Sequence, residues 1–266
     1  MGPRTDLDGI VVMVTRPAHQ ARPLCERIES RGGRVVCFPV LEIAAVEDTA
    51  SLQGLVRRLS EFDLAVFVSA NAVARGVPMV LAHGGWPPGT QVAAVGERTA
   101  GELVRRGLSV DIRPEKGFDS ESLLAVAALN NVVGKRIVIF RGQGGRELLA
   151  ETLRQRGATV DYAEVYRRVR PMATLGGVLH TQPFPHAIVI TSGDGLHNLL
   201  DMADSGDRRR LLSTPLVVIS HRIGDTARAL GFTHPPIVAR QASDEAIVEA
   251  IGDWWVGKNK TESKLQ

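Results

Sequence analysis

The second half of the chain repeats the first at a nearly constant distance along the sequence. Identical residues recur in the same order at offsets of 123 to 125 positions, and aliphatic runs match around them. The pairs are Arg16/Arg141, Leu24/Leu149, Glu26/Glu151, Arg31/Arg156, Gly32/Gly157, Val35/Val160, Ser69/Ser192, Arg98/Arg222, Gly107/Gly231 and Glu121/Glu245. Nearly equal offsets that keep their order are hard to obtain by chance, so we interpret the chain as a duplicated structural unit.

Short β-branched runs alternate with amphipathic stretches in both halves. Continuously apolar runs are typical of strands that are covered on both faces of a sheet. The predicted strands are Ile10–Thr15, Arg34–Cys37, Leu64–Val68, Gln91–Val95, Val110–Arg113, Arg136–Phe140, Thr159–Ala163, Ala187–Thr191, Leu216–Ile219 and Ile237–Ala239. Predicted helices between them include Ala18–Arg31, Ala70–Leu81, Arg98–Arg106, Gly145–Arg156 and Ala242–Trp254. This alternation predicts an α/β fold of parallel sheets with helices on both faces.

The charge balance and the cysteines exclude several classes of protein. The formal net charge is +3, and lysines near the carboxyl terminus account for most of it, so no basic surface for nucleic acid is indicated. No apolar run approaches the ~18 residues of a membrane span, and the polar start carries no secretory signal. Cys25 and Cys37 indicate neither a disulfide framework nor a metal site. We expect a soluble cytoplasmic protein that binds neither nucleic acid nor membrane, with a disordered tail at residues 257–266.

The sequence leaves two assignments of the repeated units to domains open. Consecutive domains would divide near Asn130. Alternatively, Phe38–Glu47 and Val165–Met172 are extended linkers, since they occupy equivalent places in the two halves and contain Pro39 and Pro171. The middle of the chain then forms one domain, and its two ends form the other.

Polar and basic residues follow the predicted strands where each strand ends. Ligands of open parallel sheets bind at this edge, and the free N–H groups of the helices that begin there favour anions. Serine and threonine are also ordinary helix caps at such points, whereas arginines that recur in equivalent turns would together select an acidic ligand. The candidate binding residues are Arg16, Ser69, Ala70, Asn71, Gly96, Arg98, Thr99, Arg141, Gly142, Thr191, Ser192, Gly193, Ser220 and Arg222.

Motifs of cofactor and metal chemistry are incomplete. The segment Gly142–Gly145 resembles the start of a dinucleotide fingerprint, but Glu147 occupies the position of its last glycine. The seven histidines lack the spacing of metal ligands. We therefore expect neither a cofactor nor a metal. Tyr162 lies in the predicted strand Thr159–Ala163 and Tyr166 in the linker segment that follows it, where a hydroxyl can donate a proton or hold a leaving group.

A series of short segments, each unspecific alone, occurs in a fixed order over roughly 250 residues. The segments are Val14–Pro17 with Gln20 and Pro39, Phe67–Val73, Ala94–Ala100, Arg141–Gly142 before Leu149 and Gly157, Tyr166, Thr191–Gly193, and Ser220–Gly231. In this order and spacing they resemble the uroporphyrinogen-III synthase family.

The resemblance implies a particular domain organisation. It implies two flavodoxin-like parallel-sheet domains that are interleaved, joined by a two-segment linker, and separated by a cleft. Residues 1–38 and 172–256 would form domain 1, and residues 45–165 would form domain 2. Residues 39–44 and 166–171 would be the linker strands.

The resemblance also implies a reaction, the cyclisation of hydroxymethylbilane to uroporphyrinogen III. Loss of the terminal hydroxyl gives an azafulvene, which is attacked at the substituted carbon of the last pyrrole. The spiro intermediate fragments and recloses with that ring inverted, whereas the free substrate closes to the type I isomer. The resemblance assigns departure of the hydroxyl to Tyr166. We expect a polycarboxylate tetrapyrrole as ligand, no cofactor, the preceding enzyme hydroxymethylbilane synthase as a partner, and a monomer.

Two residues depart from the family pattern. Ile223 stands where many members have threonine, although the repeat partner Thr99 is retained. Asp194 places a negative charge in a turn proposed to bind a polyanion, unless it caps the following helix.

Two other functions remain open at this point. A non-catalytic tetrapyrrole-binding regulatory domain would keep the fold and bind the ligand without turnover. A periplasmic-type solute binder also has two α/β lobes, but the absence of a signal peptide disfavours it.

Overall fold

Short strands and helices alternate along the computed structural model, which describes residues 6–117, 119–179 and 183–262. The strands are β1 (Val11–Val14), β2 (Arg34–Cys37), β3 (Glu42–Ala44), β4 (Leu64–Phe67), β5 (Gln91–Ala94), β6 (Arg136–Gly142), β7 (Thr159–Val169), β8 (Ala187–Ile190), β9 (Leu216–Val218) and β10 (Ile237–Val238). The helices are α1 (Ala18–Glu29), α2 (Thr49–Arg57), α3 (Ala70–Ala82), α4 (Glu97–Arg105), α5 (Ser120–Leu124), α6 (Leu148–Gln155), α7 (Leu175–Leu179), α8 (Gly193–Asp201), α9 (Ser205–Leu212), α10 (His221–Ala229) and α11 (Asp244–Glu262).

The chain divides into two compact units, each built on one sheet. The first unit contains the described residues up to Glu42 and those from Val169 onwards, and its strand order is β2-β1-β8-β9-β10. The second unit is Ile43–Arg168, and its strand order is β3-β7-β6-β4-β5. All neighbouring strands of the first sheet are parallel, as are β7, β6, β4 and β5 of the second. The predicted α/β fold with parallel sheets is confirmed.

The internal repeat is visible in the order of the strands. An offset of about 125 residues relates β1 to β6 and β2 to β7, and similar offsets relate β4 to β8 and β5 to β9. The run β2-β1-β8-β9 of the first sheet therefore corresponds strand by strand to β7-β6-β4-β5 of the second. This is the beginning of the flavodoxin-like order. The four matching strands of the second unit therefore occur in a circularly permuted chain order relative to those of the first.

Each sheet has an apolar core on both faces, which explains the continuously apolar strands. In β1, Val11 and Met13 pack into one cluster of buried side chains, while Val12 and Val14 pack into another on the opposite face. Helices cover both faces, and Leu24 of α1 lies in the second of these clusters. Full burial of one such side chain contributes about 1.5–3 kcal/mol to the free energy of unfolding, so the central strands stabilise each unit strongly.

The predicted strand Val110–Arg113 does not form as a strand. It makes a single bridge, between Ile112 and Ala93. The Asp111 carboxylate accepts a hydrogen bond from the backbone N–H of Val92 at 2.7 Å, in place of a carbonyl group of a regular ladder. The prediction was wrong because apolar periodicity does not reveal competition from a polar side chain.

Helix α11 extends beyond its predicted end at Trp254 and reaches Glu262. The predicted disorder is therefore wrong for residues 257–262, while 263–266 lie outside the described residues. The Lys258 ammonium lies 5.7 Å from the ring centre of Trp254 and 5.5 Å from that of Trp255. These contacts, three to four residues apart on one helix face, favour the added turns.

The chain passes from the first unit to the second after Glu42 and returns after Arg168. Both points fall in the segments predicted as linkers. Strand β3 is hydrogen-bonded to β7, and β7 continues through Tyr166 to Val169. Tyr166 is consequently held by a strand of the second sheet rather than by a loop.

We predict that His186 makes the first unit sensitive to acid. Its Nδ1 accepts a hydrogen bond from the backbone N–H of Val11 at 2.9 Å, so this nitrogen carries no proton. Burial lowers the pKa of His186 in the folded protein, and the charges of Lys258 and Arg34 lower it further. As the pH falls below the unfolded value of about 6.5, the unfolded chain gains a proton that the folded chain resists, and the free energy of unfolding falls.

Urea unfolding at about pH 7.5 and about pH 5.5 measures this effect. The matched variant His186→Asn keeps an acceptor near the Nδ1 position and removes the titration. We expect the wild type to lose more stability on acidification than the variant. Equal losses in the two proteins would contradict the assignment.

Candidate active site

The order of the strands makes one edge of each sheet the expected place for a ligand. In flavodoxin-like sheets, ligands bind at the carboxyl ends of the two strands between which the order reverses. These strands are β6 and β4 in the second unit, and β1 and β8 in the first. Ser69 follows β4, and Gly142 ends β6. The predicted residues Ser69, Gly142 and Tyr166 are therefore brought together at the edge of the second sheet.

The hydroxyl of Tyr166 is the centre of this cluster. Tyr166 is only 1% exposed, and its Oη lies 3.2 Å from the Oγ of Ser69. Ser69 is half-buried and caps helix α3, because its Oγ accepts a hydrogen bond from the backbone N–H of Ala72 at 3.1 Å. Ala70 and Asn71 form the first turn of that helix. A buried phenol thus contacts the hydroxyl of a half-buried serine.

An irregularity between β6 and β7 places Tyr166 over Gly142. Arg141 pairs with Glu164, but the next residue, Gly142, pairs with Tyr166, so that Val165 is passed over. Such bulges redirect a side chain near functional sites. A Cβ atom at Gly142 would lie 2.5 Å from Cε2 of Tyr166 and 2.6 Å from its Cζ. The tyrosine ring therefore occupies the space that any other residue at position 142 would need.

Arg168 joins the cluster and was missed in the sequence analysis. Its Nη2 donates a hydrogen bond to the Tyr166 hydroxyl at 3.4 Å, and its guanidinium lies 5.8 Å from the centre of the ring. Arg168 is exposed and has no carboxylate partner among the described residues. The spacing of Arg168 and Tyr166 could have indicated this contact, because residues two apart in a strand share a face. An exposed arginine in an arginine-rich chain does not stand out on composition alone.

Arg141 is held inside the second unit and does not support the predicted contact with a ligand. Its side chain is 6% exposed and lies 4.5 Å from the centre of the Tyr162 ring. Its Nη1 donates to Glu147 at 2.9 Å, its Nε donates to the carbonyl of Gly142 at 3.2 Å, and its Nη2 donates to the carbonyl of Gly144. The guanidinium therefore anchors the loop that follows β6.

The same loop delays the start of helix α6, which was predicted from Gly145 but begins at Leu148. Gly144 and Gly145 have φ angles of +70° and +106°. These values lie in the left-handed region, which glycine adopts readily and which a right-handed helix excludes. The helical prediction was wrong here because periodicity does not register backbone angles.

The second tyrosine of the predicted pair, Tyr162, is committed to Glu147. Its hydroxyl donates a hydrogen bond to the Glu147 carboxylate. Hydrogen bonds from Tyr162 and Arg141 hold the pKa of Glu147 below its ordinary value. Burial and the bond to Glu147 raise the pKa of Tyr162. Tyr162 is thus a poor proton donor, and Tyr166 is the better candidate of the two.

The carboxyl end of β5 presents a second set of predicted residues. Gly96 is buried and precedes α4, in which Arg98 is exposed and Thr99 is 5% exposed. The Arg98 guanidinium has no ion pair within the described part of the chain. A free cation beside a helix N-terminus is suited to a carboxylate.

The first unit presents an equivalent edge at the end of β8. Ser192 is exposed and caps α8, since its Oγ accepts from the backbone N–H of Gly195 at 3.0 Å. Thr191 and Gly193 on either side are half-buried. Asp194 lies exposed in the first turn, so the cap is Ser192 and the expectation that Asp194 caps the helix was wrong.

The residues after β9 repeat those after β5. Ser220 caps α10 by accepting from the backbone N–H of Ile223 at 3.4 Å. Arg222 is exposed, as Arg98 is, and has no ion pair among the described residues. Ile223 is buried among apolar side chains at the position equivalent to Thr99. Ile223, which departs from the family pattern, therefore provides apolar core packing where many members have a hydroxyl group.

Arg16, like its repeat partner Arg141, is buried and already paired. Its side chain is 6% exposed, and its Nη1 donates to Asp244 at the start of α11. The structure thus does not support the predicted ligand contact of Arg16. Of the four equivalent arginines, Arg98 and Arg222 remain available to a ligand.

Neither a metal site nor a membrane span is found among the described residues. In the ranges 6–117, 119–179 and 183–262, no group of three or more His, Cys, Asp or Glu residues is arranged to hold a metal ion. Within the same ranges, no helix combines the length and apolar character needed to cross a membrane.

The fold and this edge define a duplicated α/β protein whose strand ends are suited to an anionic ligand. The family model described as uroporphyrinogen-III synthase HemD matches residues 23–249. The uroporphyrinogen-III synthase of Salmonella typhimurium strain LT2 is 34% identical over 247 residues, which cover 90% of this chain and 99% of that protein. The Escherichia coli K12 synthase is 31% identical over 252 residues, with the same coverage of 90% and 99%. The chain belongs to the uroporphyrinogen-III synthase family.

Solved structures agree in fold. A mutant uroporphyrinogen III synthase from the extremely thermophilic bacterium Thermus thermophilus aligns with a TM-score of 0.64 at 18% identity, over 94% of this chain and all of that one. The uroporphyrinogen-III synthetase of Helicobacter pylori 26695 aligns with a TM-score of 0.60 at 16% identity, over 92% of this chain and 99% of that one. The predicted fold class and family are confirmed.

Proposed function

We propose that this chain cyclises hydroxymethylbilane to uroporphyrinogen III. Its membership of the synthase family supports this function. The structural observation that carries the proposal is the Tyr166 hydroxyl, which contacts Ser69 and Arg168 at the ligand-binding edge of the second sheet. A regulatory domain without catalysis is not favoured, because the curated relatives compared above are themselves named as synthases.

In the first step, the bond between the terminal carbon of the substrate and its hydroxyl oxygen breaks. Tyr166 is buried, so we assign its proton a path through Ser69, whose hydroxyl lies 3.2 Å away. The oxygen leaves as water, the substrate becomes a cationic azafulvene that keeps its pyrrole N–H proton, and the guanidinium of Arg168 stabilises the phenolate that remains.

Ring closure completes the reaction and restores the enzyme. The azafulvene is attacked at the substituted carbon of the last pyrrole, and the spiro intermediate fragments and recloses with this ring inverted. Closure releases one proton, which returns to Tyr166, so the net change is the loss of one water. Holding the flexible chain in a folded arrangement favours this route over direct closure.

The acetate and propionate groups of the substrate account for the polar strand ends. The residues proposed to bind these carboxylates are Ser69, Ala70, Asn71, Gly96, Arg98 and Thr99 in the second unit and Thr191, Ser192, Gly193, Ser220 and Arg222 in the first. Arg16 and Arg141 act indirectly, by holding the turns. Binding spread over many donors depends little on any one of them.

The remaining proposals concern the setting of the enzyme. We place it in the cytoplasm as a monomer, with hydroxymethylbilane synthase as the enzyme that precedes it. The two free cysteines are compatible with a reducing compartment.

An assay that separates the type I and type III products tests the function. The purified chain is added to freshly generated hydroxymethylbilane, and we expect type III product to predominate. A protein that binds the substrate and yields only the spontaneous type I product would instead be a tetrapyrrole sensor.

We predict that Arg168→Gln lowers kcat roughly five- to tenfold, because a unit charge about 4 Å from the phenolate is worth ~1 kcal/mol in water. KM changes little, since the charge acts on the departing hydroxyl. Arg168→Lys restores part of the rate. The control is Arg167→Gln, because the neighbouring Arg167 binds Glu47 and the carbonyl of Ala45 instead of Tyr166. Equal effects of the two glutamine variants would refute the assignment.

We predict that Ser69→Ala lowers kcat about tenfold by interrupting the proton path. The variant also loses a helix cap, at a cost of about 1 kcal/mol in the free energy of unfolding. Ser69→Thr retains the hydroxyl and separates the two effects. Thr99→Ala removes a hydroxyl without a contact to Tyr166, and distributed binding predicts little change. A Ser69→Ala variant as active as Thr99→Ala would argue against the path.

A further inference from the structure

The two cysteines meet in the first unit, and neither is among the residues proposed to bind the substrate. Cys25 lies on the buried side of α1, with Leu24 and Ile28. Cys37 is the last residue of β2, two residues after Val35, which packs on the same cluster as α1. The two Sγ atoms are 3.3 Å apart, and both thiols are free. The spacing of 12 residues gave no sign of this contact, because the helix-to-strand connection creates it.

The two thiols differ in their access to solvent. Cys37 is exposed, whereas Cys25 is 8% exposed. Burial and the hydrogen bond with Cys37 raise the pKa of Cys25 to about 12. A soluble oxidant therefore reaches Cys37 first, and Cys25 reacts only with a sulfur already beside it.

We propose that Cys25 and Cys37 form an oxidation site that closes to an intramolecular disulfide in the presence of a small disulfide such as oxidised glutathione. The Cys37 thiolate attacks the small disulfide, forms a mixed disulfide and releases one thiol. The Cys25 sulfur, after losing its proton, then attacks the Cys37 sulfur and releases the second thiol. The two protein thiols are oxidised, and one small disulfide is reduced to two thiols.

The geometry favours this closure over reaction between molecules. A disulfide bond is about 2.05 Å long, so the sulfurs need to approach by about 1.3 Å. Each is already the nearest thiol to the other, and an intramolecular partner outcompetes a second protein molecule at ordinary concentrations. The slow step is the second, because the pKa of Cys25 keeps this thiol protonated at neutral pH.

Mass spectrometry of the native full chain tests the proposal without reference to catalysis. The reduced protein is incubated with oxidised glutathione, quenched in acid and digested with trypsin without reduction. Trypsin does not cleave before Pro17 and Pro23, so Cys25 falls in peptide 5–27 and Cys37 in peptide 35–57. We expect these peptides to be linked, and dithiothreitol to separate them.

The single variants supply the controls. Cys25→Ser should accumulate a stable glutathione adduct on Cys37, and Cys37→Ser, which changes an exposed residue, should react at least tenfold more slowly than the wild type. The proposal is supported if the two peptides are linked in the wild type and in neither single variant. Unmodified thiols, a persistent adduct on Cys37 in the wild type, or dimers joined through Cys37 would each overturn it.

Discussion

Tyr166→Phe is expected to lower kcat by about 100-fold or more, since general acid catalysis typically contributes 10²–10⁴-fold. The variant keeps the ring that packs over Gly142 and loses only the hydroxyl that contacts Ser69 and Arg168. The deletion costs about 1 kcal/mol in the free energy of unfolding, so the chain stays folded. As turnover slows, spontaneous closure competes, and the fraction of type I product rises.

Tyr162→Phe is the matched control for this experiment. It deletes the same atom from the neighbouring tyrosine, whose hydroxyl donates to Glu147 and has no part in the proposed proton path. We expect its kcat to stay within a few-fold of the wild-type value. Wild-type turnover in Tyr166→Phe, or an equal loss in both variants, would remove the proposed role of Tyr166.

The fold was largely predictable from the sequence because duplication and apolar periodicity are properties of many residues at once. Strands such as Val11–Val14 and Leu64–Phe67 are apolar at every position because both faces of the sheet are covered. The repeat then predicts that the two sheets share the order of their repeated strands, and four strands of each sheet follow this order. Errors fell where a local feature decides the outcome, such as the Asp111 side chain at the edge of β5 or the backbone angles of Gly144 and Gly145 before α6.

The site was less predictable, because the sequence places residues at the correct edge without showing what they contact. Arg98 lies just after β5 and Arg141 lies near the end of β6, yet Arg98 is exposed while Arg141 is enclosed by Glu147 and the carbonyls of its own loop. The contact between Tyr166 and Ser69 joins residues 97 positions apart. Such distinctions depend on packing, which residue type and spacing do not specify.

Gly142→Ala is expected to damage the site almost as severely as Tyr166→Phe. The added Cβ would meet Cε2 of Tyr166 at 2.5 Å, Cζ at 2.6 Å and Oη at 3.0 Å. The ring is buried and rigid, so either it turns away from Ser69 and Arg168 or the two strands separate. Overpacking of this kind costs about 1–3 kcal/mol of stability. We expect kcat to fall roughly 10- to 100-fold, because a displacement of about 1 Å at a catalytic group has effects of this size.

Two further measurements show whether this loss passes through Tyr166. Gly54→Ala adds the same methyl group in helix α2, where no atom lies within 4 Å, and it should leave turnover unchanged. In the double variant, Gly142→Ala with Tyr166→Phe, the hydroxyl is already absent. Displacing the ring therefore cannot lower kcat further by moving this group. The double variant should therefore be little slower than Tyr166→Phe alone, because mutations that disable one interaction do not add. Additive losses would mean that Gly142 serves the reaction independently of Tyr166.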